Sequence, residues 1–137
     1  MGANVESDIK VALFDRLRDA IGLWPVAYPN VKFTVPSNKR YLRVSHQPNE
    51  TQTPFLRAGE KEHEGLLQVT VVEGIGKGDI KATDQASLVV QLFKHLTEIS
   101  SLSGNIQIPR QPSVAPGFNT KTTYELPVTI RYRLFSD

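Results

Sequence analysis

From Thr122 to Phe135 apolar and polar residues alternate almost without a break. Tyr124, Leu126, Val128, Ile130, Tyr132 and Leu134 share one parity, and Glu125, Thr129, Arg131 and Arg133 share the other. Successive side chains of a strand point to opposite faces, so this period of two predicts a long strand dry on one side only. Shorter runs repeat the pattern. Tyr41 to His46 sets Leu42, Val44 and His46 against Tyr41, Arg43 and Ser45. Leu66 to Glu73, opened by Gly65, sets Leu67, Val69 and Val71 against Leu66, Gln68, Thr70 and Val72, and reads as a central strand.

Two segments change period. Ile9, Leu13, Leu17 and Ile21 recur at steps of four between Ser7 and Ile21, with Ala12 and Ala20 beside them, which predicts an amphipathic helix. Ser7 or its neighbours Glu6 and Asp8 would start it by accepting free N–H groups, and Gly22 would end it. A second helix is expected from a cap at Asp79 or Thr83 to about Ser100. Its broad apolar face comprises Ala86, Val89, Val90, Leu92, Phe93 and Leu96.

The remaining segments are punctuated by proline. Pro29 and Pro36 confine Val26 to Tyr28 to a short edge strand, because proline donates no ladder hydrogen bond. The prolines between Pro109 and Pro116 predict an irregular edge, and Pro116 to Asn119 a turn before the last strand. Pro48 to Glu64 is polar apart from Phe55-Leu56, and a connection this long is usually functional or mobile. Few helices and mostly consecutive strands imply an α+β fold: a mainly antiparallel sheet of four to five strands with two helices packed on one face. At 137 residues the chain fits a single domain, residues 1–137, able to bury a core unaided.

Composition narrows the function by exclusion. Apolar residues at 39% and charged residues at 22% suit a folded protein. Cysteine is absent, which removes disulfides, thiolate metal sites and cysteine nucleophiles. Sixteen basic and fourteen acidic residues, dispersed along the chain, lack the basic stripe of a dedicated nucleic-acid binder. Met1 to Lys10 has no charged-then-apolar leader pattern and no segment approaches a membrane span, so synthesis and retention in a cytoplasm are expected, with no membrane partner.

Candidate chemistry is sparse. Gly74, Gly76 and Gly78 with Lys77 precede a helix, but a phosphate loop needs a hydroxyl residue after its lysine, and Gly78-Asp79 stands there instead. His46, His63 and His95 lie on three different elements without the spacing of paired ligands. Ser45 and His46 point to opposite faces of a strand, against a nucleophile and base pair. Glu60, Glu62 and Glu64 alternate with Lys61 on what reads as a solvated arm, where carboxylate pKa values are not driven apart. No catalytic residue, cofactor or metal site is assigned.

The order and spacing of several segments carry a family resemblance. They are Trp24-Pro25-Val26-Ala27-Tyr28-Pro29-Asn30-Val31, then Pro36, Tyr41-Leu42-Arg43-Val44, and Gly65-Leu66-Leu67-Gln68-Val69-Thr70-Val71 with the glycine turn and helix after it. Pro112-Ser113-Val114 and Tyr124-Glu125-Leu126-Pro127-Val128-Thr129-Ile130 complete the set. Over nearly the whole chain it resembles the tail terminator-like family of tailed bacteriophages, related to the lambda-type tail terminator. The resemblance implies a non-enzymatic virion tail subunit, assembled in the host cytoplasm. It would form a ring, as a hexamer, that caps the tail tube, stops its polymerisation and joins the head connector.

A ring needs heterologous contacts that close. The arm at Pro48 to Glu64 and the segment Gln111 to Gly117 are poorly explained by a core, which makes Phe55, Arg57, Lys61, Glu62, Val114 and Pro116 the interface candidates. Arg131 and Arg133, on the polar face of the last strand, are candidates for lining a channel that DNA only passes through. Two alternatives stand beside this reading: another adaptor or ring protein of the head-tail junction, and a nucleotide-binding enzyme using the Gly74 to Gly78 turn.

Overall fold

A computed structural model of the chain describes residues 4–49 and 61–136. The order is α1 (Val5–Asp19), β1 (Val26–Ala27), β2 (Tyr41–Pro48), β3 (Lys61–Gly74), α2 (Ile80–Leu92), β4 (Glu98–Ser101), β5 (Gly104–Gln107), β6 (Ser113–Val114), β7 (Phe118–Asn119) and β8 (Thr123–Ser136). The eight strands form one sheet in the order β1-β2-β3-β8-β5-β4, with β6 and β7 also paired to β8. The fold is α+β as expected, but the sheet is larger than four to five strands. It is also mixed, because β1 runs parallel to β2.

The platform is built on β3 and β8, which pair antiparallel over fourteen residues each, from Lys61↔Ser136 to Gly74↔Thr123. Register stacks the apolar parity into rows: Leu42, Val71 and Leu126 across one, Val44, Val69 and Val128 across the next. All six side chains are buried. A one-residue slip would turn every one of them to solvent, so register here is fixed by the core.

Both helices cover that one face. Ile9, Leu13 and Leu17 of α1 and Ala82, Ala86 and Val89 of α2 join the rows in a single core cluster. Arg16 of α1 donates from Nε to the Leu92 carbonyl at 2.8 Å, tying the helices together and satisfying a carbonyl at the end of α2. Near the middle of α2, Gln85 accepts from the Trp24 N–H at 2.9 Å and donates to the Gly22 carbonyl at 3.0 Å.

The first helix is shifted towards the N-terminus relative to its periodicity, and the second is shorter than its periodicity implies. The α1 cap is Asn4, whose side chain accepts from the Ser7 N–H at 3.1 Å, so the helix begins before Ser7. It stops at Asp19 because Ala20 is already extended, leaving Ile21 95% exposed rather than on the apolar face. The second helix ends at Leu92, not near Ser100. Leu96 takes a positive φ of 72° and is exposed, and Glu98–Ser101 becomes a strand, with Ile99 opposite Ile106 in the core. Pairing with β5 buries Ile99, and that tertiary gain overrides the helical pattern.

The proline-rich segment does form an irregular edge. One side of β8 is fully paired with β3. The other is followed by β5, β6 and β7 in turn, at Gln107↔Arg133, Ser113↔Thr129 and Phe118↔Glu125. Pro109, Pro112 and Pro116 fall between these short strands, where no ladder donor is needed.

Candidate functional site

The face of the sheet away from the helices carries the polar parity: Arg43, Ser45, Gln68, Thr129, Arg131 and Arg133, with Glu62 and Glu64 at one end. Its charges are organised by register. Arg43 donates from Nη2 to Glu125 Oε1 at 2.6 Å, although the two residues lie two strands and 82 positions apart. Thr123 Oγ1 donates to the other carboxylate oxygen at 3.1 Å. The bond to Glu125 raises the Arg43 pKa above its ordinary value, outweighing its partial burial.

The other end of this face holds a cleft of about 220 Å³ lined by Asn49, Glu62, Glu64, Arg110, Arg131 and Arg133 among others. Glu64 faces Arg133 across the ladder and Glu62 faces Phe135. Partial burial, and then the neighbouring Glu64 carboxyl, push the Glu62 pKa up, while Arg133 acts in the opposite direction. Arg133 donates from Nε to Gln107 Oε1 at 3.0 Å and lies over the Phe135 ring at 5.6 Å. Arg131 is exposed and engages no described residue, leaving its guanidinium available to an anion.

The candidates named from the sequence are therefore distributed unevenly. Glu62, Arg131 and Arg133 share the cleft. Lys61 and Glu62 belong to β3, so the polar arm gives way to strand before Glu64, and the alternating carboxylates of Glu62 and Glu64 are aligned by a strand. Val114 on β6 is 46% exposed and Pro116 is exposed, both on the opposite flank of β8. Phe55 and Arg57 lie outside the described residues.

A second polar group sits under α1, on the core side of the sheet. Tyr132 reaches across β3 to hydrogen-bond His46 Nε2 through its hydroxyl, and the two rings stack at 5.4 Å. His63 Nδ1 lies 3.7 Å from Glu6 Oε1. Burial, and then the Lys10 charge, lower the His46 pKa to about 4, and burial raises that of Tyr132. His46 and His63 point to the same face, but no group of three or more His, Cys, Asp or Glu able to hold a metal occurs among the described residues. The parity of His46 and Tyr132 places both on the core face; their contact is visible only once Gly65 is known to lie between them.

Gly76 and Gly78 have positive φ, 83° and 75°, as a tight strand-to-helix turn requires. Asp79 occupies the cap position of α2 without a side-chain cap bond. No helix among the described residues is long and apolar enough to cross a membrane.

Two helices over one face of a mixed eight-stranded sheet, with a charged cleft on the other face, define an α+β protein. A family profile described as phage tail terminator protein matches residues 8–132, and the chain belongs to that family. Its members are structural proteins of the tail and its joining to the head. Five solved chains match in structure; one is 26% identical, with a TM-score of 0.80 and 96% of each chain covered. No curated protein matches.

Proposed function

We propose that this chain caps the finished tail tube, stops its polymerisation and supplies the surface to which the head connector joins. It acts as a closed ring, with six copies as the expected number. The carrying observation is the family match over residues 8–132, on a fold whose polar residues are arranged for contact rather than for catalysis. Termination is a problem of specificity: one side of the ring must fit the tube end while the other fails to imitate it.

Within this reading the open sheet face is the channel side. Arg131, free of described partners, and Arg133, held by Gln107, would meet DNA phosphates weakly and without sequence preference. Lys61, Val114 and Pro116 are assigned to contacts between copies or with the tube, as are Phe55 and Arg57. Glu62 borders the channel cleft and belongs to the same contact zone.

Electron microscopy of purified tail tubes incubated with the protein tests the proposal. Density at one end only, and overlong tails when the gene is deleted, are the expected results. Density along the tube wall, or normal tail length without the protein, would falsify it.

A further inference from the structure

Two features on opposite flanks of α1 are left uncovered by the fold. The first is a groove of about 360 Å³ between α1 and β4, lined by Asp8, Val11, Ala12, Asp15, Ser100 and Leu102 among others. Its walls are apolar, with Val11 58% and Leu102 76% exposed. Those lining residues include two carboxylates and no cation. Asp8 accepts from Ser103 Oγ, and Asp15 is already paired with the Arg18 guanidinium, which leaves Asp8 as the carboxylate without a cation among the described residues. The groove follows a free strand edge, because β4 is the last strand in the sheet order. The bond from the Ile108 N–H to the Thr97 carbonyl sets the phase of the hairpin, so Thr97, Ile99 and Ser101 face β5. The backbone groups of Glu98 and Ser100 then point outward, unpaired.

The second feature is the segment Val31-Lys32-Phe33-Thr34-Val35, which follows β1 at the other end of the sheet order. It alternates apolar and polar residues like a strand, yet Lys32 to Val35 make no backbone hydrogen bond to a described residue. Phe33 is anchored on Tyr41 at 5.2 Å, which leaves Val31 60% and Val35 50% exposed on either side. Lys32 is exposed between them. The contact of Tyr28 with Phe14, at 5.4 Å, places this end of the chain on the flank of α1 away from the groove.

We infer that the groove between α1 and β4 receives the Val31–Val35 segment of a neighbouring copy. The inference rests on the ring reading above and supplies its subunit contact. An apolar groove with free strand groups and the Asp8 carboxylate fits an extended, apolar segment carrying a lysine. The two surfaces are different and lie on opposite flanks, so each copy uses one on each neighbour. That is the heterologous arrangement a ring requires; a two-fold dimer would need one surface to match itself.

The absence of cysteine makes a clean test possible. A chain carrying both Val11→Cys and Val35→Cys, treated with a short bis-maleimide, should give a ladder of linked species up to the ring, with or without added tail tubes. Either substitution alone should give monomers. Leu102→Glu, at an exposed groove position, should weaken self-association about tenfold while leaving the melting temperature of the monomer unchanged. A ring of normal size without the ladder, undiminished association of Leu102→Glu, or dimers from a single-cysteine chain would overturn this contact and spare the ring. Failure to self-associate even on tubes would overturn the ring and the contact with it.

Discussion

The Tyr132 hydroxyl lies directly over the α-carbon of Gly65 on its way to His46 Nε2. Gly65 faces Tyr132 in the β3–β8 ladder, and His46 sits on β2 one row further on, so the side chain must pass over β3 to make the bond. A Cβ on residue 65 would collide with the Tyr132 phenol and sit 2.8 Å from the Gln47 carbonyl oxygen. Gly65→Ala should therefore cost about 1–3 kcal/mol, as overpacking does, read as a lowered urea midpoint. Gly76→Ser, in a turn where an added Cβ meets no described atom, should cost only what its positive φ demands, about 1 kcal/mol.

The same pair gives the protein an acid sensitivity. The folded His46 pKa, near 4, lies below the ordinary value of 6.5, so the unfolded chain binds its proton first. The stability tied to neutral His46 is complete above the unfolded pKa, declines as pH falls below it, and is fully lost once pH passes through the folded value. The groups facing His46 are Lys10 of α1 and Tyr132 of β8, with the Glu6 and His63 pair nearby. Urea midpoints measured from about pH 7 to about pH 4 should fall in wild type, and His46→Gln should flatten that portion of the curve.

Gln85 joins the entry of the chain to α2 through two hydrogen bonds from one amide. Gln85→Leu would keep the volume but leave the Trp24 N–H and the Gly22 carbonyl unpaired in a partly buried place. A loss of about 1–3 kcal/mol is expected, and hydrogen exchange at the Trp24 amide should accelerate.

On the open face, Arg43 and Glu125 should show coupling in a double-mutant cycle. The Glu125 side chain is only 11% exposed, whereas that of Arg43 is 47% exposed. Removing the arginine alone strands a largely covered carboxylate, so Arg43→Met should cost more than the double change Arg43→Met with Glu125→Gln. The coupling expected, discounted for solvent around Arg43, is about 1 kcal/mol.

Arg131→Glu reverses the charge of a side chain with no described partner. Folding and tail length should be unchanged, while passage of DNA, assayed as ejection from assembled particles, should slow. An unaltered ejection rate would remove Arg131 from the channel.

Alternation is the part of the fold that could be read without coordinates. Tyr124 to Leu134 declared their face because a half-covered strand repeats every two residues, and Ile9, Leu13 and Leu17 declared theirs in the same way at helical spacing. What failed was wherever a partner distant in sequence decided the outcome. Leu96 fits a helical face, but Ile106 takes Ile99 into the core and ends the helix first. Lys61 to Glu64 look like loop until β8 is seen to extend far enough to pair with them. The candidate site divides along the same line: Arg131 and Arg133 follow from parity, whereas the Arg43 bond to Glu125 depends on a register that spans three strands.

The flank of β8 away from β3 has one more consequence. Residues 104–119 occupy it piecemeal, each short run of pairing interrupted by a proline. No foreign strand can zip along this flank of β8, since its place is taken by the chain itself. The spacing of Pro109, Pro112 and Pro116 thus keeps this flank of β8 occupied by short segments of its own chain.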